Sequence, residues 1–155
     1  MPSNYSREEF FAYMDAWKPV LESSHKVFTQ LQGGSMSGIV LIIATIGFNF
    51  DNISALAAFE KWLLCGSLIC LILSLGNVLN CVRITDFVEG LLAGIKSRII
   101  FDQLAQVTAA EINNVRDEII TRIVSSQRFY GYAYWCFLLA VTLGILCFIS
   151  ILLRF

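Results

Sequence analysis

The sequence predicts an all-α integral membrane protein: three transmembrane helices, an N-terminal amphipathic helix, and a cytoplasmic helical hairpin that extends spans two and three. Three observations predict it. Residues 129–153 contain no Asp, Glu, Lys, Arg or His, and neither do residues 34–50 and 62–82. A charge-free apolar run of about 18 or more residues is long enough to cross a bilayer core as a helix. Hydrophobic residues make up 57% of the chain and charged residues 15%, against roughly 25% charged in a soluble domain. The polar stretches between the apolar runs keep helical periodicity rather than loop composition.

Taken in order, residues 1–33 form the cytoplasmic arm. Ser6-Arg7-Glu8-Glu9 is a capping-box pattern, a hydroxyl for the first free amides and a glutamate reaching back. Phe10, Met14, Trp17, Leu21, Ser24, Phe28 and Leu31 then recur at alternating steps of four and three, a heptad-like stripe on one face. Pro19 is expected to kink or split that helix near Lys18, and Gly33-Gly34 to end it. The face flanking the stripe is not strongly basic, so the arm is expected to pack on protein helices rather than lie on the bilayer surface.

Residues 34–83 carry spans one and two with a short external loop. Span one, 34–50, is about 25 Å long at 1.5 Å per residue and would thin the bilayer or borrow from Asn52 to Phe59. Residues 84–128 read as the hairpin. Ile84, Phe87, Val88, Leu91, Leu92, Ile95 and Ile99 share one face, and no proline separates them from span two, so that helix continues into the cytoplasm. A turn is expected near 101–108. Thr108-Ala109-Ala110-Glu111 is a second capping box, and Ile112, Val115, Ile119, Ile120 and Ile123 lead into span three, 129–155.

Charge asymmetry orients the chain. Nine of the eleven Lys and Arg residues lie in the N-terminal arm and in the segment between spans two and three. The positive-inside rule then puts the N-terminus and residues 84–128 in the cytoplasm and the C-terminus outside, with Arg154 at the headgroups. Trp62 opens span two, and Tyr130, Tyr132, Tyr134 and Trp135 open span three, as interfacial aromatics do. The charged first 33 residues carry no cleavable leader pattern, so the arm is expected to be retained.

The candidate site is a seam on span two. Ser67, Cys70, Ser74, Asn77 and Cys81 recur at steps of three and four, with Asn80 beside them, and the same register meets Ile84, Val88, Leu91 and Ile95. The face is small or polar where lipid is the solvent and apolar where water is. Each half is what a buried face needs in its own solvent, since close approach and hydrogen bonds associate helices in lipid and apolar burial does so in water. Two readings follow: the polar atoms line an aqueous path in an oligomer, or they hold helices together. Span three carries a second small face of Ala133, Cys136, Ala140, Gly144 and Cys147, of the small-xxx-small kind. Gly34-x-x-x-Gly38 and Gly90-x-x-x-Gly94 have the same form.

Several function classes are expected to be absent. No Ser-His-Asp, Cys-His, HExxH or phosphate-loop pattern is present, so no enzyme is expected. The five cysteines form no CxxC and the one histidine, His25, is distant from them, so neither metal nor cofactor is expected. Net charge is −1 with acids and bases interleaved, which gives no nucleic-acid surface. The sequence expectation is a small homo-oligomeric membrane protein that forms a channel or pore, or permeabilises the membrane as an effector, under control of its cytoplasmic helices. The alternative is a non-conducting scaffold or accessory subunit. Its partners would be the lipid bilayer, further copies of itself, and a cytosolic protein bound through residues 1–33 and 84–128.

Overall fold

The computed structural model describes residues 4–48, 56–101 and 106–153. In chain order the elements are β1 (Asn4–Ser6), α1 (Arg7–Asp15), α2 (Lys18–Phe48), α3 (Ala58–Phe101), β2 (Gln106–Thr108) and α4 (Ala109–Leu152). The fold is helical, and three of its helices are long and apolar enough to cross a membrane. Of the sequence-derived features, Phe50, residues 102–105 of the expected turn, residues 52–55 and Arg154 lie outside the described residues, as does the side chain of Ile112.

Both capping boxes form. Ser6 Oγ accepts from Glu9 N at 3.2 Å, and Glu9 Oε2 accepts from Ser6 N at 2.8 Å. Thr108 and Glu111 repeat the exchange at the start of α4, with an added 2.8 Å bond from Thr108 Oγ1 to Glu111 Oε2. These two bonds from Thr108 hold the Glu111 carboxyl below its ordinary range. Sequence reasoning did not foresee the antiparallel ribbon that precedes both boxes, with Asn4 opposite Thr108 and Ser6 opposite Gln106. Three residues are too few to show a strand's alternation.

The proline break falls where expected. α1 stops at Asp15, Ala16 and Trp17 form a turn, and α2 starts at Lys18. Pro19 then sits in the first turn, where its missing N–H costs no bond. The glycine pair does not end the helix. α2 runs through Gly33 and Gly34 to Phe48, so arm and first apolar run are one helix. A glycine inside a helix costs about 1 kcal/mol relative to alanine, but Gly34 has a use: a Cβ there would meet the Phe137 ring at 3.4 Å.

The chain divides into two units, Met1–Phe28 with Asn80–Arg128 and Thr29–Leu79 with Phe129–Phe155. In the first, Phe10 and Met14 of α1 bury against Ile99 of α3. Leu21 of α2, Val88 of α3 and Ile119 of α4 form a second cluster, with Trp17 packed on it. Ion pairs dress its exterior: Lys96 with Asp15 at 3.0 Å and Arg122 with Glu118 at 2.8 Å. Arg122 also lies over the Phe87 ring, which leaves Phe87 half-exposed rather than in the core. Ile120 is likewise exposed. In the second unit, α2, α3 and α4 pack through small side chains, while Trp62, Ile69, Trp135 and Phe148 face outward.

Candidate functional site

On α4, Ile119, Ser126, Ala133, Ala140 and Cys147 are buried, at intervals of seven. On α2, Met14's successors Leu21, Phe28 and Ser35 follow the same interval. On α3, Ser67, Leu71, Ser74, Val78, Cys81, Thr85 and Val88 are buried, at alternating steps of four and three. Within each unit, steps of three, four and seven keep one stripe of each helix turned to its neighbours.

The hydroxyls of the second unit close on their own chain. Ser67 Oγ donates to Ala140 O at 2.8 Å. Ser74 Oγ donates to Ala133 O at 2.8 Å and lies 3.1 Å from Ser35 Oγ. A serine hydroxyl has one proton; Ser74 has given its own to the carbonyl, so Ser35 is the donor in the second bond. The three helices thus meet in one hydrogen-bonded layer of Ser35, Ser74 and Ala133, all of them buried. Small residues permit the approach. A Cβ on Gly38 would stand 3.0 Å from Leu71 Cδ1, one on Gly66 3.3 Å from Leu143 Cδ1, and one on Gly144 3.8 Å from Ser67 Oγ.

Among the described residues, the only buried acid or base is Glu60 in the first turn of α3. Its Oε2 accepts from Ala57 N at 2.8 Å, capping the helix, and its Oε1 accepts from Ser150 Oγ at 3.1 Å. Cys147 Sγ donates to the Glu60 carbonyl at 3.7 Å. Sequence reasoning passed over Glu60 because it lies two residues before the charge-free run. The available signal was its position three residues after a helix start, where a glutamate caps the amide behind it.

In the first unit the contacts between α3 and α4 have different chemistry. Cys81 Sγ donates to Ser126 O at 3.2 Å, and Thr85 Oγ1 donates to Cys81 O within its own helix. Beyond them stand Val88 and Ile119. Between α3 and α4 the partners step by seven in opposite directions, 67 with 140 and 74 with 133 in one unit, 81 with 126 and 88 with 119 in the other.

The sequence-derived site residues separate into two groups. Ser67, Ser74 and Cys81 are buried between helices, as are Ala133, Ala140 and Cys147. Cys136 and Gly144 are half-buried. Cys70 and Asn77 are half-buried and Asn80 is exposed, so the polar seam does not include them. The Asn77 amide instead donates to Leu73 O, one turn back on its own helix, at 2.8 Å. The buried positions next to them are Leu71 and Val78, one residue further along. The same displacement puts Thr85 rather than Ile84 inside.

Among the described residues, no group of three or more His, Cys, Asp or Glu side chains is placed to hold a metal ion, and all five cysteines are free thiols. Compared with known protein families, curated proteins and solved structures, the chain matches none.

Proposed function

We propose that this chain is a multi-pass membrane anchor and scaffold, with the N-terminus and residues 84–128 in the cytoplasm and the C-terminal end of α4 outside. One observation carries the reading: among the described residues, the buried hydroxyls of the second unit, Ser35, Ser67 and Ser74, are consumed in bonds between helices of one chain. A hydroxyl that lines an aqueous path must present its polar atom to water, and these three present none. The seam therefore acts as adhesive within a self-sufficient three-helix bundle. In lipid such bonds are worth about 0.6–2 kcal/mol each.

The scaffold's working surface would be the first unit. Val20 and Val27 on α2, and Ile120 and Val124 on α4, stay exposed there, and a cytosolic protein would cover them. The second reading is a channel built from several copies. It is favoured by the outward polar edge of α3, where Asn80 is exposed and a Cβ on Gly76 would meet nothing within 4 Å. A pore in that reading is lined by Asn80 and its surroundings rather than by Ser67 and Ser74.

Reconstitution into liposomes at rising protein density decides between them. The scaffold reading expects the vesicles to hold a small-ion gradient at every density. Ion flux that grows with protein content, and falls in an Asn80→Leu variant, would replace it with the channel.

A further inference from the structure

Each of the three long apolar stretches is preceded or followed, on its first-unit side, by a single basic residue. Lys26 is the last charge before residues 27–50, Arg83 the first after residues 62–82, and Arg128 the last before residues 129–153. All three side chains are exposed. Among the described residues none of the three forms an ion pair or hydrogen bond, whereas Lys18, Lys96, Arg116 and Arg122 are all paired with carboxylates. The acids nearest to them in sequence are engaged elsewhere: Glu22 faces Lys18, Asp86 faces His25 at 4.0 Å, and Glu118 holds Arg122.

The helix register puts these bases at one height. Leu21, Val88 and Ile119 form one layer. α2 runs antiparallel to α3, because Met14, before Leu21, meets the cluster of Ile99, after Val88. Lys26 lies five residues beyond Leu21 and Arg83 five residues before Val88, so the two are level. Arg128 lies nine residues beyond Ile119, four further along, or about 6 Å at 1.5 Å per residue. One uncompensated cation from each helix thus falls within about one turn of the same level, at the edge of the charge-free stretches.

We propose that Lys26, Arg83 and Arg128 form a collar that binds the phosphates of anionic phospholipids in the cytoplasmic leaflet. The proposal rests on the membrane insertion proposed above. Isolated bases on three helices, with apolar side chains on one side and no carboxylate partner, match a ring of lipid phosphates with acyl chains beyond it. A charged leaflet attracts each such base, and the long side chains reach the phosphate plane by snorkelling.

The test uses the full chain in neutral detergent micelles and reads its thermal unfolding midpoint. Added phosphatidylglycerol should raise the midpoint by roughly 3 °C or more over the same fraction of phosphatidylcholine, because a ligand of the folded state stabilises it by mass action. Inorganic phosphate should not reproduce the gain; if it does, the collar is a free-anion site and the lipid assignment is wrong. The variant Lys26→Gln, Arg83→Gln, Arg128→Gln should lose most of the difference. The variant Lys18→Gln, Arg116→Gln, Arg122→Gln removes the same charge elsewhere and should keep it. Equal loss in both variants, or no preference in the native chain, overturns the collar. Where the triple variant fails to fold, the three single variants serve, each expected to lose part of the preference; three unaffected single variants overturn it equally. Resistance to alkaline extraction from membranes is read in parallel. A native chain that stays in the membrane but ignores phosphatidylglycerol sinks the collar alone, whereas one released by alkali sinks the insertion itself.

Discussion

Val88 and Ser74 occupy equivalent places on one stripe of α3, fourteen residues apart. Val88 meets Leu21 and Ile119, and Ser74 meets Ser35 and the Ala133 carbonyl. The helices that supply the partners are the same in each case, α2 and α4. What changes is the currency of association. Removing aliphatic surface from water stabilises by about 25 cal/mol per Å², so the first unit is filled with Leu, Val and Ile. Between helices surrounded by hydrocarbon that drive disappears, and close backbone approach with satisfied hydrogen bonds takes its place. The two units thus place different residue types at the stripe positions of the same helices, the difference that insertion of the second unit in lipid, proposed above, would require.

The largest expected effect tests the first half of that comparison. Ile119 is fully buried, and Ile119→Ala should destabilise by about 2–5 kcal/mol, the range for deleting a core aliphatic in water. Unfolding of the purified chain in micelles measures it, followed by tryptophan fluorescence in a Trp62→Phe, Trp135→Phe background that leaves Trp17 as the reporter. A loss no greater than that of a single seam hydroxyl would mean that the first unit does not rely on apolar burial.

Next comes the approach distance in the second unit. Gly38→Val would push Cγ atoms beyond a Cβ already 3.0 Å from Leu71, and overpacking of that kind costs about 1–3 kcal/mol. Gly90 has nothing within 4 Å of its would-be Cβ. Gly90→Ala should therefore gain up to about 1 kcal/mol, because alanine is the better helix former. Opposite signs at two glycines of the same GxxxG form would show that spacing alone does not identify a contact. Equal effects would remove the distinction between the units.

Ser74→Ala should cost about 0.6–2 kcal/mol. It removes the bond to Ala133 O and leaves Ser35 without its acceptor. Ser35→Ala in the same background should then cost little, since both changes delete one layer and neighbouring sites are not additive. A full additive loss in the double variant would show that the two hydroxyls act separately.

Part of this layer was legible beforehand. Ser67, Ser74, Cys81 and Val88 stand out in the sequence because their chemistry changes where the charge-free run ends. The positions between them were not legible. Span two is apolar on every side, so steps of three or four from Ser67 fit equally well, and the polar Cys70 and Asn77 attract the choice over Leu71 and Val78. The structure takes the apolar pair because Asn77 can satisfy its amide on Leu73 O without a partner helix. Ser35 was within reach: the arm's stripe, continued past Leu31 by four, arrives on it. The glycine pair concealed it, since glycines commonly mark helix ends, and here tertiary packing at Phe137 overrides that preference. Helix starts were the most readable feature, because a capping box is local and needs no knowledge of the rest of the chain.

That locality gives the smallest prediction and separates the units by pH. Thr108 donates its hydroxyl and its backbone N–H to Glu111, which lowers the carboxyl from its ordinary 4.5. A carboxyl with a depressed folded value contributes stability above its unfolded value, and loses it as pH falls through the folded one. Thr108→Ala removes the hydroxyl and with it an N-cap worth about 0.5–2 kcal/mol. The gap between native chain and variant should thus be widest near neutral pH and narrow as pH falls below the carboxyl's ordinary 4.5 and through its lowered folded value. Part of it should persist, because Thr108 Oγ1 also accepts from Glu111 N whatever the charge. Among the described residues the second unit has no such exposed pair at a seam position, so Ser74→Ala should show a gap that does not follow this titration. Limited proteolysis at the α4 N-terminus, run on both variants at pH 7 and pH 3.5 with an acid-tolerant protease, reads the difference. A Thr108 gap that is the same at both pH values would mean that the charge on Glu111 plays no part in holding that end of the helix.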